Sequence, residues 1–377
     1  RFRFNGRSYQ GFAGDTLAAA VLAAGETVLS RSWKYHRPRS IVTSGIEEPS
    51  ALVQMETGPW VIPNAKMPEV ELYENLQAES VNPWPSPGKH LFSINRWFTP
   101  LFPAGFYYKT FMWPAKAWMW YERFIRQAGG LGASPMEEDK DRYVHQNIHC
   151  DVLVAGGGVA GLAAALAAGR SGARVILAEL GAHLGGSAHR LQGDIDGQSV
   201  HDWVRAAEQE LAAMPEVRII RRGVVFGYHD GNFLTIRESL TDHLPLAERT
   251  GFRERLWRVR AAQVVLATGA HERPMVFGNN DLPGVMLSSA LADYAALYGV
   301  CVGQRVVLLA NNDSAYADAL VLRQAGAHVT VADVRIGAPP AGTLAAQAQA
   351  AGVELLRGYA PLHATGTAAV SGVVLRA

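Results

Sequence analysis

Apolar and polar positions alternate with period two over RFRFNGRSYQGF, around Asn5-Gly6, and predict a β-hairpin because both turn residues tolerate positive φ. GDTLAAAVLAAG follows as a small-residue helix, with Asp15 as its N-cap and Gly25 as its C-cap. From 84 to 135 the pattern loses its period among Pro, aromatic and amide residues, and MEEDKDRYVHQNIH (136–149) reads as a polar connection to a boundary near Cys150. Beyond it, apolar runs alternate with small-residue stretches. DVLVAGGGVAGLAAALAAGRSGARVILAEL (151–180) predicts a strand over 152–155, a helix over 162–170 and a strand over 175–178. VRIIRRGVVFGYHDG (217–231) reads as the next strand, and QVVLATGA (263–270) as a buried strand closing in a glycine turn. VVLLANNDSAYADALVLRQAGAHVTVAD (306–333) repeats strand, turn, helix and strand, and residues 352–377 add further strands.

Strands alternating with helices predict an α/β chain with parallel sheets. The expected fold has two dinucleotide-type domains arranged as in glutathione reductase, preceded by a β-grasp module like that of plant-type ferredoxins. The expected boundaries are 1–83 for the module, 84–149 for an aromatic-rich connection, 150–285 for the first dinucleotide domain and 286–377 for an incomplete second one. Ferredoxins hold their cluster on cysteines in the loop after the helix, and SRSWKYHRPRSIVTSGIEEPS (30–50) has none, so a [2Fe-2S] cluster is excluded by chemistry.

Composition narrows the chemistry. Apolar residues make up 49% and charged residues 18%, enough for a substantial core, and a net charge of +1 without a basic tail argues against bulk nucleic-acid binding. The run Arg31, Lys34, His36, Arg37, Arg39 reads as a solvated face or a contact to another subunit. The two cysteines, Cys150 and Cys301, cannot build a disulfide framework or a redox pair, which fits a reducing cytoplasm. His145 and His149 beside Cys150 match no zinc spacing, so no metal site is expected. The aromatic stretch 95–124 is interrupted by Arg96, Lys109, Lys116 and Arg123 and falls short of the roughly 18 apolar residues of a membrane span. The chain begins at Arg1 without a signal peptide and is expected to be a fragment.

The site is expected at Gly156-x-Gly158-x-x-Gly161, which sits between two strands as the dinucleotide fingerprint requires. Gly156 allows the tight turn, Gly158 lets the backbone approach a pyrophosphate, and Gly161 lets helix and strand pack closely. The helix N-terminus supplies unpaired N–H groups to the phosphates. Glu179, 18 residues after Gly161, is placed to accept hydrogen bonds from a ribose and would repel a 2′-phosphate, which disfavours NADP. A second glycine cluster, Gly181 to Ser187, follows, and backbone near Val225 commonly meets an adenine in such folds. No nucleophile with an adjacent base is visible. His271 and Glu272 form the one candidate acid–base pair, and adjacent loop residues usually point apart.

The second unit keeps the spacing and loses the glycines. Ala310, Asn312 and Ala315 stand at the three glycine positions, and Ala315 to Asp333 is again 18 residues. An asparagine fills the space a phosphate needs, and Asp313 adds a like charge. The turn is expected to survive without its phosphate site.

In WKYHRPRSIVTSGIEEPSALV, PAGFYYKTFMWP, HCDVLVAGGGVAGLAAA, ATGAHERPMVFGNNDLPGVM and NNDSAYADAL, the chain resembles the α subunit of heterotetrameric sarcosine oxidase, in order and over essentially all 377 residues. The resemblance implies an NAD⁺-binding subunit with no catalytic residue of its own. It would work with β, γ and δ subunits in a complex that carries FAD and FMN. That complex oxidises an amine, sarcosine, to glycine, passes the one-carbon unit to tetrahydrofolate and releases hydrogen peroxide. It also implies NAD⁺ contacts at Gly156, Gly158, Ala160, Gly161, Glu179, Leu180, Gly181, Ser187 and Val225. Leu180 and Gly181 depart from the acid or amide and Arg common in relatives. The folate-binding C-terminal half of such subunits is absent. The glycine pattern alone favours FAD in the first domain, and the alternative is an FAD-dependent amine, proline or opine dehydrogenase of the same fold.

Overall fold

The computed structural model describes residues 1–101, 105, 112–337, 339 and 342–377. The chain divides into two compact units, one formed by Arg1–Lys140 with Glu272–Ala377 and the other by Asp141–His271.

The first unit opens with the hairpin of β1 (Phe2–Phe4) and β2 (Arg7–Tyr9), turned by Asn5 and Gly6 at φ +49° and +76°. Alternation sends Phe2 and Phe4 inward and Arg3 to solvent. Helix α1 (Leu17–Ala23) buries Leu17 through Val21. Its cap is Thr16 rather than Asp15: the Thr16 hydroxyl accepts the Ala19 N–H at 3.2 Å, while Asp15 accepts that of Phe12. A short pair, β3 (Ser30–Arg31) and β4 (Pro38–Arg39), precedes β5 (Leu52–Met55), β6 (Ile62–Lys66) and β7 (Gln77–Ser80). The sheet order is β2-β1-β7-β5-β6, with β1 and β7 parallel and the other neighbours antiparallel, the expected β-grasp arrangement.

A strap after β7 is fastened by two buried histidines. His90 Nδ1 accepts the Trp84 N–H at 2.9 Å, which leaves its Nε2–H to donate to His36 Nδ1 at 2.8 Å. Helix α2 (Trp118–Ala128) follows. Trp97, Trp113 and Trp120 are 81%, 82% and 63% exposed, so these aromatics of the connection do not build the core. Residues 102–104 and 106–111 of the stretch read as too interrupted to span a membrane lie outside the described residues. Among the described residues, no helix is long and apolar enough to cross a membrane.

In the second unit β8 (Tyr143–Ala155) is 13 residues long and takes in the second half of the expected polar connection. Its first half pairs in parallel with β15, Tyr143 opposite Glu254 through His149 opposite Arg260, beyond the reach of the neighbour on its other side. The run of polar residues there, His145 to Asn147, is accommodated by that one-sided pairing. Then come α3 (Val159–Arg170), β9 (Val175–Ala178), the small hairpin of β10 (Asp194–Ile195) and β11 (Gln198–Ser199), α4 (Val200–Ala213) and β12 (Val217–Ile220). β13 (Gly223–His229), β14 (Phe233–Ser239) and β15 (Glu254–Leu266) complete a six-stranded sheet, β12-β9-β8-β15-β14-β13. The single strand expected over 217–231 is therefore two, broken at Arg222, whose φ is +52°. β12, β9, β8 and β15 are parallel, and β9 is buried on both faces, as a parallel interior strand requires. One face packs Val154 and Leu177 against Leu162, Leu166 and Trp203, and the other gathers Leu153, Ile176, Ile236 and Trp257.

The chain then returns to the first unit through α5 (Ser288–Tyr298). β16 (Arg305–Ala310), α6 (Ser314–Gln324), β17 (His328–Asp333), α7 (Leu344–Ala350) and β18 (Glu354–Arg357) form a three-stranded parallel sheet with its helices. β19 (Ala360–Gly366) and β20 (Val370–Arg376) end as a hairpin.

Candidate nucleotide site

β8 ends at Ala155 in the three-glycine turn, and the glycines have different reasons to be there. Gly156 has φ +104°, and a Cβ would run into the Ala267 carbonyl oxygen at the end of β15. A Cβ on Gly161 would overlap the Gly156 carbonyl oxygen, so close seating of α3 on the turn requires a bare Cα. Gly158 is otherwise. Its φ of −69° suits any residue, and the nearest heavy atom to an added Cβ is Gly186 Cα at 4.0 Å. The protein does not crowd that position, and it leaves an approach to the first turn of α3. Gly158 is the N-cap and brings no side chain to the N–H groups of that turn, with Ala160 exposed beside it.

The second glycine cluster closes over the same turn. The Gly185 N–H donates to Gly157 O at 2.8 Å, and Gly185 and Gly186 take φ of +111° and +53°. Ser187 follows, exposed, in a short 3₁₀ turn.

Glu179 stands at the end of β9 with both carboxylate oxygens engaged. Oε2 accepts the Gly157 N–H at 2.7 Å and Oε1 the Gly181 N–H at 2.8 Å. Gly157 was passed over as a spacer in the fingerprint, yet it links three segments: a Cβ there would meet Leu184 at 2.6 Å and Glu179 Oε2 at 3.0 Å. The unbroken run Gly156-Gly157-Gly158, with a glycine at the spacer position, was the available signal. β13 starts beside this acid, since Gly223 N–H donates to Glu179 O at 2.8 Å and Arg222 N–H to Gly181 O at 3.0 Å. Leu180 is 38% exposed, Gly181 is exposed, and Val225, half-buried on β13, packs against the core of Ile176 and Ile236. Eight of the nine expected residues thus cluster around one turn and the end of β9, and Val225 lies farther along the strand that starts there.

The glycine-free turn after β16 satisfies itself. Asn312 Oδ1 accepts the Ser314 N–H at 2.9 Å and its hydroxyl at 2.6 Å, so an amide oxygen takes the first N–H of α6 where a phosphate oxygen would go. Asp333, the counterpart of Glu179, is fully buried and receives the Tyr316 hydroxyl at 2.5 Å and the Arg335 backbone and guanidinium at 2.8 to 3.2 Å. Burial alone would raise the Asp333 pKa, but these donors outweigh it and hold the group at about 2. Burial and the bond to Asp333 push the Tyr316 hydroxyl up to about 12. Arg335 also reaches Asp313 at 2.8 Å.

Glu272 accepts the N–H groups of Ser288 and Ser289 at 3.2 and 2.8 Å, together with the Ser288 hydroxyl at 3.2 Å. Its carboxylate is committed to the start of α5, which removes it from the candidate pair with His271. Cys150 is buried, and burial pushes its thiol up to about 11; Cys301 is exposed.

Residues 151–275 match the family described as FAD dependent oxidoreductase, and residues 1–83 match the one described as 2Fe-2S iron-sulfur cluster binding domain. The sarcosine oxidase subunit alpha of Rhizobium meliloti (strain 1021) is 46% identical over 329 residues, 87% of this chain and 33% of its own. That of Corynebacterium sp. (strain P-1) is 38% identical over 94% of this chain and 32% of its own. The chain is thus similar in sequence to sarcosine oxidase α subunits. It spans about a third of the length of these α subunits. Among solved structures, the L-proline dehydrogenase from P. horikoshii matches over 99% of this chain and 56% of its own at a TM-score of 0.60 and 17% identity, a likeness of fold.

The two family matches meet this sequence differently. The glycine turn, the uncapped start of α3 and Glu179 fit a dinucleotide, in agreement with the oxidoreductase match. A [2Fe-2S] cluster does not fit the first module, because residues 1–83 hold no cysteine and no thiolate is present to bind iron.

Proposed function

We propose that this chain is the NAD⁺-holding part of a sarcosine oxidase α subunit, with Gly156, Gly158, Ala160, Gly161, Glu179, Leu180, Gly181, Ser187 and Val225 as its nucleotide contacts. The observation that carries this reading is the open face of Gly158 against an uncapped helix start, set beside the turn after β16, where the helix start is already taken by Asn312. The Gly157–Glu179 bond holds the turn in shape, the N–H groups of the first turn of α3 receive the pyrophosphate, and Glu179 turns its remaining lone pairs to a ribose. Glu179 also sets the preference, since a 2′-phosphate would meet a carboxylate. NAD⁺ bound there supplies hydride-accepting capacity, and none of this chain's residues is assigned a proton-transfer role.

In this proposal sarcosine is oxidised at FAD and FMN held with partner β, γ and δ subunits, giving glycine and hydrogen peroxide, with the one-carbon unit passed to tetrahydrofolate. A cytoplasmic location belongs to the same reading and is supported by the two free cysteines. A second reading, an FAD-dependent amine, proline or opine dehydrogenase with the flavin at this turn, is favoured by the oxidoreductase family match over residues 151–275. Purification of the native complex, followed by turnover with a panel of secondary amines, tests the function. Sarcosine as the best substrate, with folate-dependent capture of the one-carbon product, is expected. Turnover of proline or an opine by this chain without partners supports the second reading instead.

A further inference from the structure

A ferredoxin-type module carries its cluster thiolates in the loop after its helix. Here that loop is residues 30–50, without a cysteine, and among the described residues no group of three His, Cys, Asp or Glu could hold a metal. A carboxylate occupies the centre of the loop instead. Glu48 is 2% exposed and accepts five hydrogen bonds from its surroundings. Its Oε2 takes the N–H groups of Val42 and Thr43, both at 2.8 Å, and the Thr43 hydroxyl at 3.3 Å. Its Oε1 takes those of Ser50 at 2.8 Å and Ala51 at 3.0 Å. Backbone N–H groups converging on one buried carboxylate fix the loop around it.

The carbonyls of Val42 and Thr43 and the hydroxyl of Ser44 bond on the side of α5. Val42 O accepts the Leu287 N–H at 2.9 Å, Thr43 O accepts the Tyr294 hydroxyl at 3.0 Å, and the Ser44 hydroxyl donates to Asp293 at 2.6 Å. Tyr294 is 1% exposed, and with Leu287 and Ala290 it joins the core of Phe2, Phe4 and Leu17. Burial raises the Tyr294 pKa well above its ordinary value, which keeps the phenol a donor. Helix α5 leads, through Gly299, to β16 and the Asn311–Asp313 turn.

We infer that Glu48 is an anionic hub standing where this kind of module would organise its loop around an iron–sulfur cluster, and that the loop serves as a bracket for α5 rather than as a redox site. The inference is independent of which nucleotide the chain holds.

The test uses the whole chain. Anaerobic incubation with ferrous iron and sulfide should leave no bound iron and no cluster absorption, and stoichiometric uptake of a cluster overturns the inference. In Glu48→Gln the amide NH₂ faces two donors, and hydrogen exchange at Val42, Thr43, Ser50 and Ala51 should quicken about tenfold or more while β8 and β9 keep their protection. Unchanged exchange at those four amides overturns it. Tyr294→Phe reads the bracket in a protein that retains Glu48. Exchange in α5 should quicken while Ser50 and Ala51 stay protected, and unchanged α5 exchange contradicts the bracket.

Discussion

The carboxylate of Glu179 accepts the backbone N–H of Gly157 at 2.7 Å, so the acid at the end of β9 holds the turn at the end of β8. In Glu179→Gln one amide NH₂ must face a backbone donor, either Gly157 or Gly181. Loss of one charge-assisted hydrogen bond corresponds to about a tenfold weakening of nucleotide binding or more. Calorimetric titration of nucleotide into the apo chain measures it. Equal affinity in the two proteins contradicts the role given to Glu179.

Gly161 and Gly158 separate folding from binding. Gly161→Ala drives a Cβ into the Gly156 carbonyl oxygen and should cost about 3 kcal/mol or more of stability in the apo chain. Gly158→Ala meets open space and should cost about 1 kcal/mol or less, the difference between Gly and Ala at an N-cap. The same Gly158→Ala change should still weaken nucleotide binding severalfold. Urea denaturation and nucleotide titration of both variants decide. Similar stability losses for both contradict the open face at Gly158.

The His36–His90 pair makes the first unit sensitive to acid. Burial lowers the His90 pKa from 6.5 to about 4, with neighbouring His36 and Arg31 adding to the effect, and burial and then Arg31 lower that of His36. Arg31 is the charged group facing the pair, reaching His36 O at 3.2 Å and Pro87 O at 2.9 Å. Both folded-state values lie below the unfolded ones, so the contribution is complete above pH 6.5 and is lost as pH falls through about 4. Chemical denaturation across that window should show the decline, and His90→Gln should flatten it. A profile unaffected by His90→Gln rules out the pair as its source.

Asp333→Asn removes the negative charge and one of the two oxygens to which Tyr316 and Arg335 donate, and should destabilise the first unit by about 3 kcal/mol, as when one member of a buried ion pair is lost. The Asp333 contribution is present above its ordinary pKa of 3.8 and is lost as pH falls to about 2. Nucleotide content should be unchanged, because this acid is consumed by its own unit. A parallel loss of nucleotide from a folded Asp333→Asn protein contradicts that.

What the sequence could reveal follows from where each constraint originates. Gly156 and Gly161 were legible because local backbone demands recur at fixed spacing. Gly157 was not, because its constraint comes from Leu184 and Glu179 across the turn. The spacing located Asp333 correctly but could not foresee that Tyr316 and Arg335 would consume it. Residues 143–149 looked like a connection since a strand end paired on one side needs no apolar period. Asp15 and Thr16 are adjacent cap formers, and only the observed bond to Ala19 chooses between them. Glu48 drew no reading from the sequence because four backbone donors leave no mark on side-chain pattern.

The central claim is one nucleotide per chain, NAD⁺, held at Gly156 to Gly161. Denaturing the native protein and identifying what it releases by mass, beside Gly158→Leu and an Asn312→Ala control, tests it most directly. One NAD⁺ per chain, lost in Gly158→Leu and retained in Asn312→Ala, is the expected result. FAD in stoichiometric amount in place of NAD⁺, or a nucleotide lost only on changing Asn312, contradicts it.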